Sequence, residues 1–214
     1  MSQLRPNAST WTWNHGDAMA GQIDQLHGLN RKLGLHVLDC FGGAVKWNTR
    51  HDWYDGAGLP WRFPKDLAQA ADGFAAVAAR WGDTEGGIEA DNEVDSKAYT
   101  PDQYSVLLKT MRWGLHQTKS RNASAVVPPL VCGAFTDAVH TSYLDSLGRN
   151  QAMTVCDAVS YHTYTDPVRV QDDLARVRLW QAKYLPRQTF LCPCHPFRST
   201  DLFYGAGTTA LTCR

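Results

Sequence analysis

The chain alternates short apolar runs with longer segments of helical periodicity, and this alternation constrains its fold more than any other feature. Five short runs qualify as strand candidates, and amphipathic helical patterns separate them. Strands that alternate with helices form parallel sheets, because a parallel connection is long enough to hold a helix. The alternation therefore predicts an α/β fold whose functional groups lie at the carboxyl ends of the strands.

Periodicity and capping signals place the individual elements along the chain. The strand candidates are residues 35–41, 87–93, 125–135, 154–164 and 188–192. The proline pair of the third candidate is expected at the entry of the strand. The first predicted helix covers residues 17–33 and has Met19, Ile23, Leu26 and Leu33 near one stripe. Further helices are predicted from Pro64 to Trp81, from the Thr100–Gln103 capping box onward, over residues 141–150, and from Asp166-Pro167 to Tyr184. A loop rich in tryptophan, including Trp47, follows the first strand candidate.

Charge and missing motifs exclude several classes of function. The 21 basic and 21 acidic side chains give a formal net charge of zero, which argues against a nucleic-acid partner or an anionic membrane surface. No apolar run approaches the ~18 residues of a membrane span, and the first residues lack the apolar region of a signal peptide. The common nucleotide-binding motifs are also absent from the sequence. We therefore expect no membrane partner and no cofactor, and the localisation stays open.

The glutamates are the most unusual part of the composition. The chain has three, Glu85, Glu89 and Glu93, and none follows residue 93. Because side chains alternate along a strand, Glu89, Asp91 and Glu93 are predicted to share one face, with Asn92 on the other. Carboxyl groups packed together raise one another's proton affinity, which makes one of them a candidate proton donor near neutral pH. The alternative is a solvated edge strand that carries a few acids.

Residues 81–95, WGDTEGGIEADNEVD, resemble the fourth-strand segment of retaining glycoside hydrolases with (β/α)8 barrels. That clan typically has W-E-x-x-N-E-P here, after a helix that ends in arginine, an aromatic residue and glycine. Arg80-Trp81-Gly82 matches the helix end, and Asn92 and Glu93 match the Asn-Glu pair. Val94 replaces the usual proline, and an alanine-aspartate pair replaces the usual apolar pair. The resemblance implies that Glu93 is the general acid/base and that Asn92 bonds the sugar 2-hydroxyl.

A second segment, DAVSYHTYTDP at residues 157–167, resembles the sixth strand of the same clan, which often reads D-x-I-S-x-H-x-Y. The resemblance implies that His162 and Tyr164 line the sugar cleft. The alternative is a buried, hydrogen-bonded histidine beside a core tyrosine. Trp47 can stack on a sugar ring or pack its loop against the rim of the barrel, and both readings stay open.

The resemblance covers about residues 17–185 and implies an incomplete (β/α)8 TIM barrel, with about strands 3–7 present. Residues 1–185 would form this partial barrel, and residues 186–214 are an atypical C-terminal tail. The clan's nucleophile is a glutamate that ends the seventh strand, and the corresponding segment QTFLCPCHPF has none. We therefore expect a truncated or frame-shifted member of the clan.

The expected activity is retaining hydrolysis of O-glycosidic bonds in an oligosaccharide or polysaccharide, with the nucleophile missing from this chain. Enzymes of this clan are often secreted, and the sequence leaves the oligomeric state open. Two alternatives are a catalytically inactive carbohydrate-binding remnant and a small open α/β protein whose acids bind a ligand or a metal. Cys192-Pro-Cys194-His195 can begin a zinc site, but no second ligand pair follows at a usable spacing. We therefore predict no metal site.

Overall fold

The computed structural model describes residues 7–11, 18–42, 45–49, 63–136, 142–162, 167–184 and 189–191. Within these ranges the chain is an α/β fold on one parallel sheet of five strands. The strands are β1 (Val37–Phe41), β2 (Glu85–Ala90), β3 (Leu130–Phe135), β4 (Ala158–Tyr161) and β5 (Thr189–Leu191). The α-helices are α1 (Ala18–Leu33), α2 (Leu67–Trp81), α3 (Pro101–Arg121), α4 (Tyr143–Arg149) and α5 (Pro167–Tyr184).

The strands lie in the sheet in the order in which they occur in the chain, β1-β2-β3-β4-β5. This order contains no reversal of the kind that opens a ligand crevice in doubly wound sheets. With right-handed crossovers, successive helices then pack on the same face of the sheet. One hydrophobic cluster indeed joins side chains of α2 to α5 with side chains of β1 to β4. The predicted alternation of parallel strands and helices is confirmed for the described part of the chain.

Helix α3 follows its sequence signals closely. The Thr100 hydroxyl accepts from the backbone N–H of Gln103, and the Gln103 side chain accepts from the backbone N–H of Thr100, so the predicted capping box is present. Its apolar and aromatic residues, which recur at helical spacing, are buried: Tyr104, Leu107, Leu108, Met111 and Leu115.

Helix α2 begins later than its proline predicts. Asp66 is the N-cap, and its carboxylate accepts from the backbone N–H of Gln69 at 3.0 Å. Pro64 lies before the helix and forms an isolated antiparallel bridge with Thr49. The assignment of Pro64 to the first helical position is therefore wrong, because a capping carboxylate two residues later starts the helix.

The stripe predicted for α1 is also wrong in part. Leu26 and Leu33 are exposed, whereas His27 and Asn30 are buried on the face that meets the sheet. Polar contacts to β1 and to the start of β2 decide this orientation, as described below. Among the described residues, no helix is both long enough and apolar enough to cross a membrane.

The second strand is displaced from the prediction of residues 87–93. It spans Glu85–Ala90, because Asp91 and Glu93 have φ angles of 66° and 50° and leave the extended conformation. Strand alternation therefore stops at residue 90, and the predicted common face of Glu89, Asp91 and Glu93 is not a strand face. The fourth strand is likewise shorter than the predicted 154–164, since residues 152–155 form a 3-10 helix.

Candidate functional site

Two side chains that were predicted from separate segments lie beside each other at the carboxyl end of the sheet. Glu93 follows β2 by three residues, and His162 comes directly after β4. The distance from Glu93 Oε1 to His162 Nδ1 is 3.6 Å. The Glu93 side chain is 28% exposed, whereas that of His162 is 11% exposed and its Nδ1 is buried. The backbone N–H of His162 donates to the carbonyl of Phe135, which fixes the start of its loop against β3.

The turn that presents Glu93 has an unusual backbone. Asp91 and Glu93 both lie in the left-handed region, on either side of Asn92. This conformation costs about 1–2 kcal/mol for each residue with a side chain. Backbone strain of this kind concentrates at functional sites, where the surrounding structure enforces it. The turn is therefore a candidate for function on its geometry alone.

Buried hydrogen bonds of Asp91 hold this turn in place. One oxygen of the Asp91 carboxylate accepts from the backbone N–H of Asn92 at 2.8 Å, and the other accepts from the hydroxyl of Tyr99 at 2.5 Å. Both Asp91 and Tyr99 are buried. The backbone N–H of Asp91 also donates to the carbonyl of Phe41 in β1. The carboxylate of Asp91 is thus structural, and it fixes the position of its neighbour Glu93.

The segment after Glu93 is also anchored. Val94 is fully buried and begins one turn of π-helix, Val94–Ala98. In this turn the carboxylate of Asp95 accepts from the backbone N–H of Thr136, at the end of β3, at 3.0 and 3.1 Å. Single π-helical turns occur frequently at functional sites. Glu93 is therefore held from both sides, by Asp91 before it and by Asp95 after it.

A third acid, Glu89, lies in the buried part of the sheet. Its Oε1 accepts from the hydroxyl of Ser160 in β4 at 2.5 Å, and Ser160 Oγ accepts from the backbone N–H of Ala134 at 2.6 Å. Burial has the largest effect and raises the pKa of Glu89. The hydrogen bond from Ser160 and the nearby His162 lower this pKa, whereas the nearby Asp91 raises it. The pKa of Glu89 therefore lies above that of an exposed glutamate, because burial outweighs the two contacts that lower it.

The other predicted site residues are less closely connected. Asn92 is exposed between the two left-handed residues. Trp47 is half-buried in the 3-10 helix Lys46–Asn48, which follows β1 in the chain. Tyr164 lies outside the described residues. The arrangement thus offers a solvent-accessible carboxyl group beside an imidazole, which can exchange a proton with a bound ligand.

A second group of acid/base side chains was not predicted from the sequence. His27 of α1, Asp39 of β1 and Glu85 of β2 each offer one ligand atom, and these atoms lie within 4.8 Å of one another. His27 Nε2 is 3.0 Å from Asp39 Oδ2 and 3.9 Å from Glu85 Oε1. Burial, and then the neighbouring Asp39, raise the pKa of Glu85 to about 9. The one available signal was the four-residue step from Ile23 to His27, which places His27 on the inward face of α1.

Comparisons with protein-family models, with curated proteins and with solved structures give no match for this chain.

Proposed function

We propose that this chain is part of a retaining glycoside hydrolase and that Glu93 is its general acid/base. The observation that carries the proposal is the pairing of Glu93 with His162, at 3.6 Å, at the carboxyl end of a parallel sheet. The resemblance assigns both residues to the sugar site, from segments almost 70 residues apart. Their proximity in the fold is what a shared site requires.

The strand order supports the architectural part of the proposal. Consecutive parallel strands in chain order, with helices packed on one face, are the arrangement found in a (β/α)8 barrel. We propose that β1 to β5 correspond to strands 3–7 of such a barrel. In barrels of this class the active site is built at the carboxyl ends of the strands. Glu93 and His162 lie at these ends.

The proposed chemistry assigns one task to each residue. Glu93 donates its proton to the glycosidic oxygen as the bond to the anomeric carbon breaks, while Asn92 bonds the sugar 2-hydroxyl. His162 positions the carboxyl group of Glu93. A retaining mechanism also needs a second carboxylate about 5–5.5 Å away to attack the anomeric carbon. The chain has no glutamate after residue 93, so this nucleophile is missing at the end of β5.

The missing nucleophile suggests a specific test. A small anion such as azide can take its place, attack the anomeric carbon and form a glycosyl azide, while Glu93 protonates the leaving oxygen. The full chain is incubated with a panel of aryl glycosides and oligosaccharides, with and without sodium azide, and the products are identified by mass spectrometry. We expect glycosyl azide from at least one substrate. A panel without any azide product and without hydrolysis would refute the enzymatic proposal.

The role of Glu93 is tested by the dependence on the leaving group. Glu93→Gln should lower the rate by about 10²–10⁴-fold for a poor leaving group that needs a proton. The loss should be far smaller for dinitrophenol, which leaves without protonation. Asp145→Asn is the matched control, since Asp145 is exposed on α4 and pairs with Lys183. Equal losses for both leaving groups would assign Glu93 to another role.

The absence of a glutamate after residue 93 also favours a second function, carbohydrate binding without cleavage. In this case Glu93, Asn92 and His162 form hydrogen bonds with sugar hydroxyls. The fluorescence of Trp47 changes when the sugar binds. Tryptophan fluorescence is titrated with the same oligosaccharides, and Glu93→Gln is compared with wild type. A saturable change that this substitution weakens, together with no turnover in azide, would select the binding function.

A further inference from the structure

We propose that His27, Asp39 and Glu85 bind a divalent transition-metal ion of the zinc class. One ligand atom from each residue lies within 4.8 Å of the other two. Glu85 is the first residue of β2, whereas Glu93 follows the last residue of that strand by three positions. The metal site is therefore distinct from the Glu93–His162 pair, and it does not depend on the function proposed above.

Glu85 is the residue that most needs a further partner. It is 4% exposed, and neither of its carboxylate oxygens has a hydrogen-bond partner among the described residues. Its polar neighbours are the carboxyl group of Asp39 and His27 Nε2, which at 3.9 Å is beyond hydrogen-bond distance. Burial of a carboxyl group without a hydrogen-bond partner is unfavourable. A cation between the three side chains satisfies both carboxylates at once.

His27 is held with one ring nitrogen toward this space. Its Nδ1 is 2.7 Å from Thr84 Oγ1, and its ring stacks on Trp81 with 4.6 Å between the centroids. The Thr84 hydroxyl donates to the carbonyl of Trp81 at 2.9 Å and then accepts from Nδ1–H of His27. Nε2 is then the ring nitrogen that faces Asp39 and Glu85, and a metal ion bound there takes the place of the proton that Nε2 shares with Asp39 Oδ2 at 3.0 Å. Metal-binding histidines are typically fixed in this way, by a hydrogen bond from the other ring nitrogen.

The distances suit a small cation. Zinc bonds to nitrogen and oxygen of about 2.0–2.1 Å place neighbouring ligand atoms about 3.3 Å apart at tetrahedral angles. The observed separations from His27 Nε2 are 3.0 Å to Asp39 and 3.9 Å to Glu85, so a small shift of Glu85 completes the set. One imidazole and two carboxylates are ligands for zinc, iron or manganese, and their two negative charges balance the ion. The side chain of Asp39 is 28% exposed, which gives the ion a path from solvent.

The test measures zinc affinity in the full chain, with competing thiols removed. Cys40 is exposed, and Cys192, Cys194 and Cys213 lie in the tail, so all four are replaced by serine. Apoprotein is then titrated with zinc in competition with a chromogenic chelator. We expect one ion per chain. Binding of no ion by this protein would overturn the proposal.

Substitutions then locate the ion. Glu85→Gln and His27→Gln should each raise the dissociation constant by more than about 100-fold, and Thr84→Val by about 10–100-fold, the usual loss for an outer-shell partner. Asp145→Asn and His116→Gln are matched controls, since both residues are exposed and lie outside the set. Unchanged affinity in Glu85→Gln or His27→Gln would overturn the proposal.

X-ray absorption of zinc bound to the chain without the four competing thiols gives a second test, which needs no substitution at the proposed ligands. We expect only nitrogen and oxygen ligands at about 2.0–2.1 Å, with the scattering of one imidazole. A sulfur shell at about 2.3 Å would place the ion on cysteine and overturn the assignment.

Discussion

Ser160 donates a hydrogen bond of 2.5 Å to the carboxyl group of Glu89, and this bond crosses the middle of the sheet. Glu89 belongs to β2 and Ser160 to β4, with β3 between them. The backbone N–H of Ala134 in β3 donates to the oxygen of Ser160 at 2.6 Å. One buried hydroxyl therefore joins three strands, and it fixes Glu89 four residues before the candidate acid/base Glu93.

The raised pKa of Glu89 predicts that stability falls as pH rises. The folded protein keeps a proton on Glu89 that the unfolded chain releases above its ordinary value of about 4.5. The contribution of Glu89 to the free energy of unfolding should therefore be full below this value and decline as pH rises toward the native pKa. Each unit between the two pKa values costs about 1.4 kcal/mol. Urea unfolding of wild type and Glu89→Gln between pH 4 and 8 measures this decline.

Glu89→Gln should flatten the decline, because glutamine accepts the bond from Ser160 without a titrating proton. The contribution of Glu85, whose pKa is also raised, is the same in both proteins. If wild type and Glu89→Gln lose stability in parallel across this range, Glu89 does not hold a proton in the folded state.

Tyr99→Phe should destabilise the turn that carries Glu93. The substitution removes the 2.5 Å hydrogen bond from the Tyr99 hydroxyl to Asp91, and leaves that buried carboxylate oxygen without this donor. Loss of a buried bond to a charged group costs about 1.5–3 kcal/mol. Urea unfolding measures the change. Tyr143→Phe is the control, since its hydroxyl donates to the carbonyl of Val94 at 3.4 Å and should cost less than about 1 kcal/mol. Equal effects of the two substitutions would contradict the assigned role of Asp91.

Local signals in the sequence predict the helices and the sheet well, and they fail where tertiary contacts decide. The capping box at Thr100 and the inward face of α3 follow from neighbouring residues alone. The end of β2 does not, because Asp91 and Glu93 become left-handed only through bonds to distant groups such as Tyr99 and Phe41. An alternating pattern cannot reveal a turn that such contacts enforce.

The candidate site shows the same division. The resemblance to glycoside hydrolases identified Glu93 and His162 separately, and their 3.6 Å separation required the fold. The group around Glu85 has no local motif, because its members come from α1, β1 and β2. The orientation of α1 was mispredicted for the same reason: His27 and Asn30 are buried while Leu26 and Leu33 are exposed.

The contact between α2 and α3 depends on a glycine. A Cβ atom at Gly114 would lie 2.3 Å from the carbonyl oxygen of Ala71, so the two helices would have to separate. Gly114→Ala should therefore lower the free energy of unfolding by about 1–3 kcal/mol, the usual cost of overpacking.

Gly28→Ala in α1 is the matched control, because nothing lies within 4 Å of its Cβ position. There alanine should stabilise by about 0.5–1 kcal/mol, as in any open helical position. Thermal and urea unfolding of both variants would show the opposite signs.

Glu93 provides a pair of substitutions that separates strain from side-chain chemistry. Both Glu93→Ala and Glu93→Gly remove the carboxyl group, but only glycine relieves the left-handed backbone, where φ is 50°. The relief is about 1–2 kcal/mol, and the greater freedom of glycine in the unfolded chain offsets about 0.4–1 kcal/mol of it. Glu93→Gly should therefore be more stable than Glu93→Ala, by up to about 1.6 kcal/mol in urea unfolding. At Lys109, exposed in the interior of α3, the same pair should show the reverse order by about 1 kcal/mol. If alanine is the more stable residue at position 93 as well, the turn is not strained in solution and does not hold Glu93 as described.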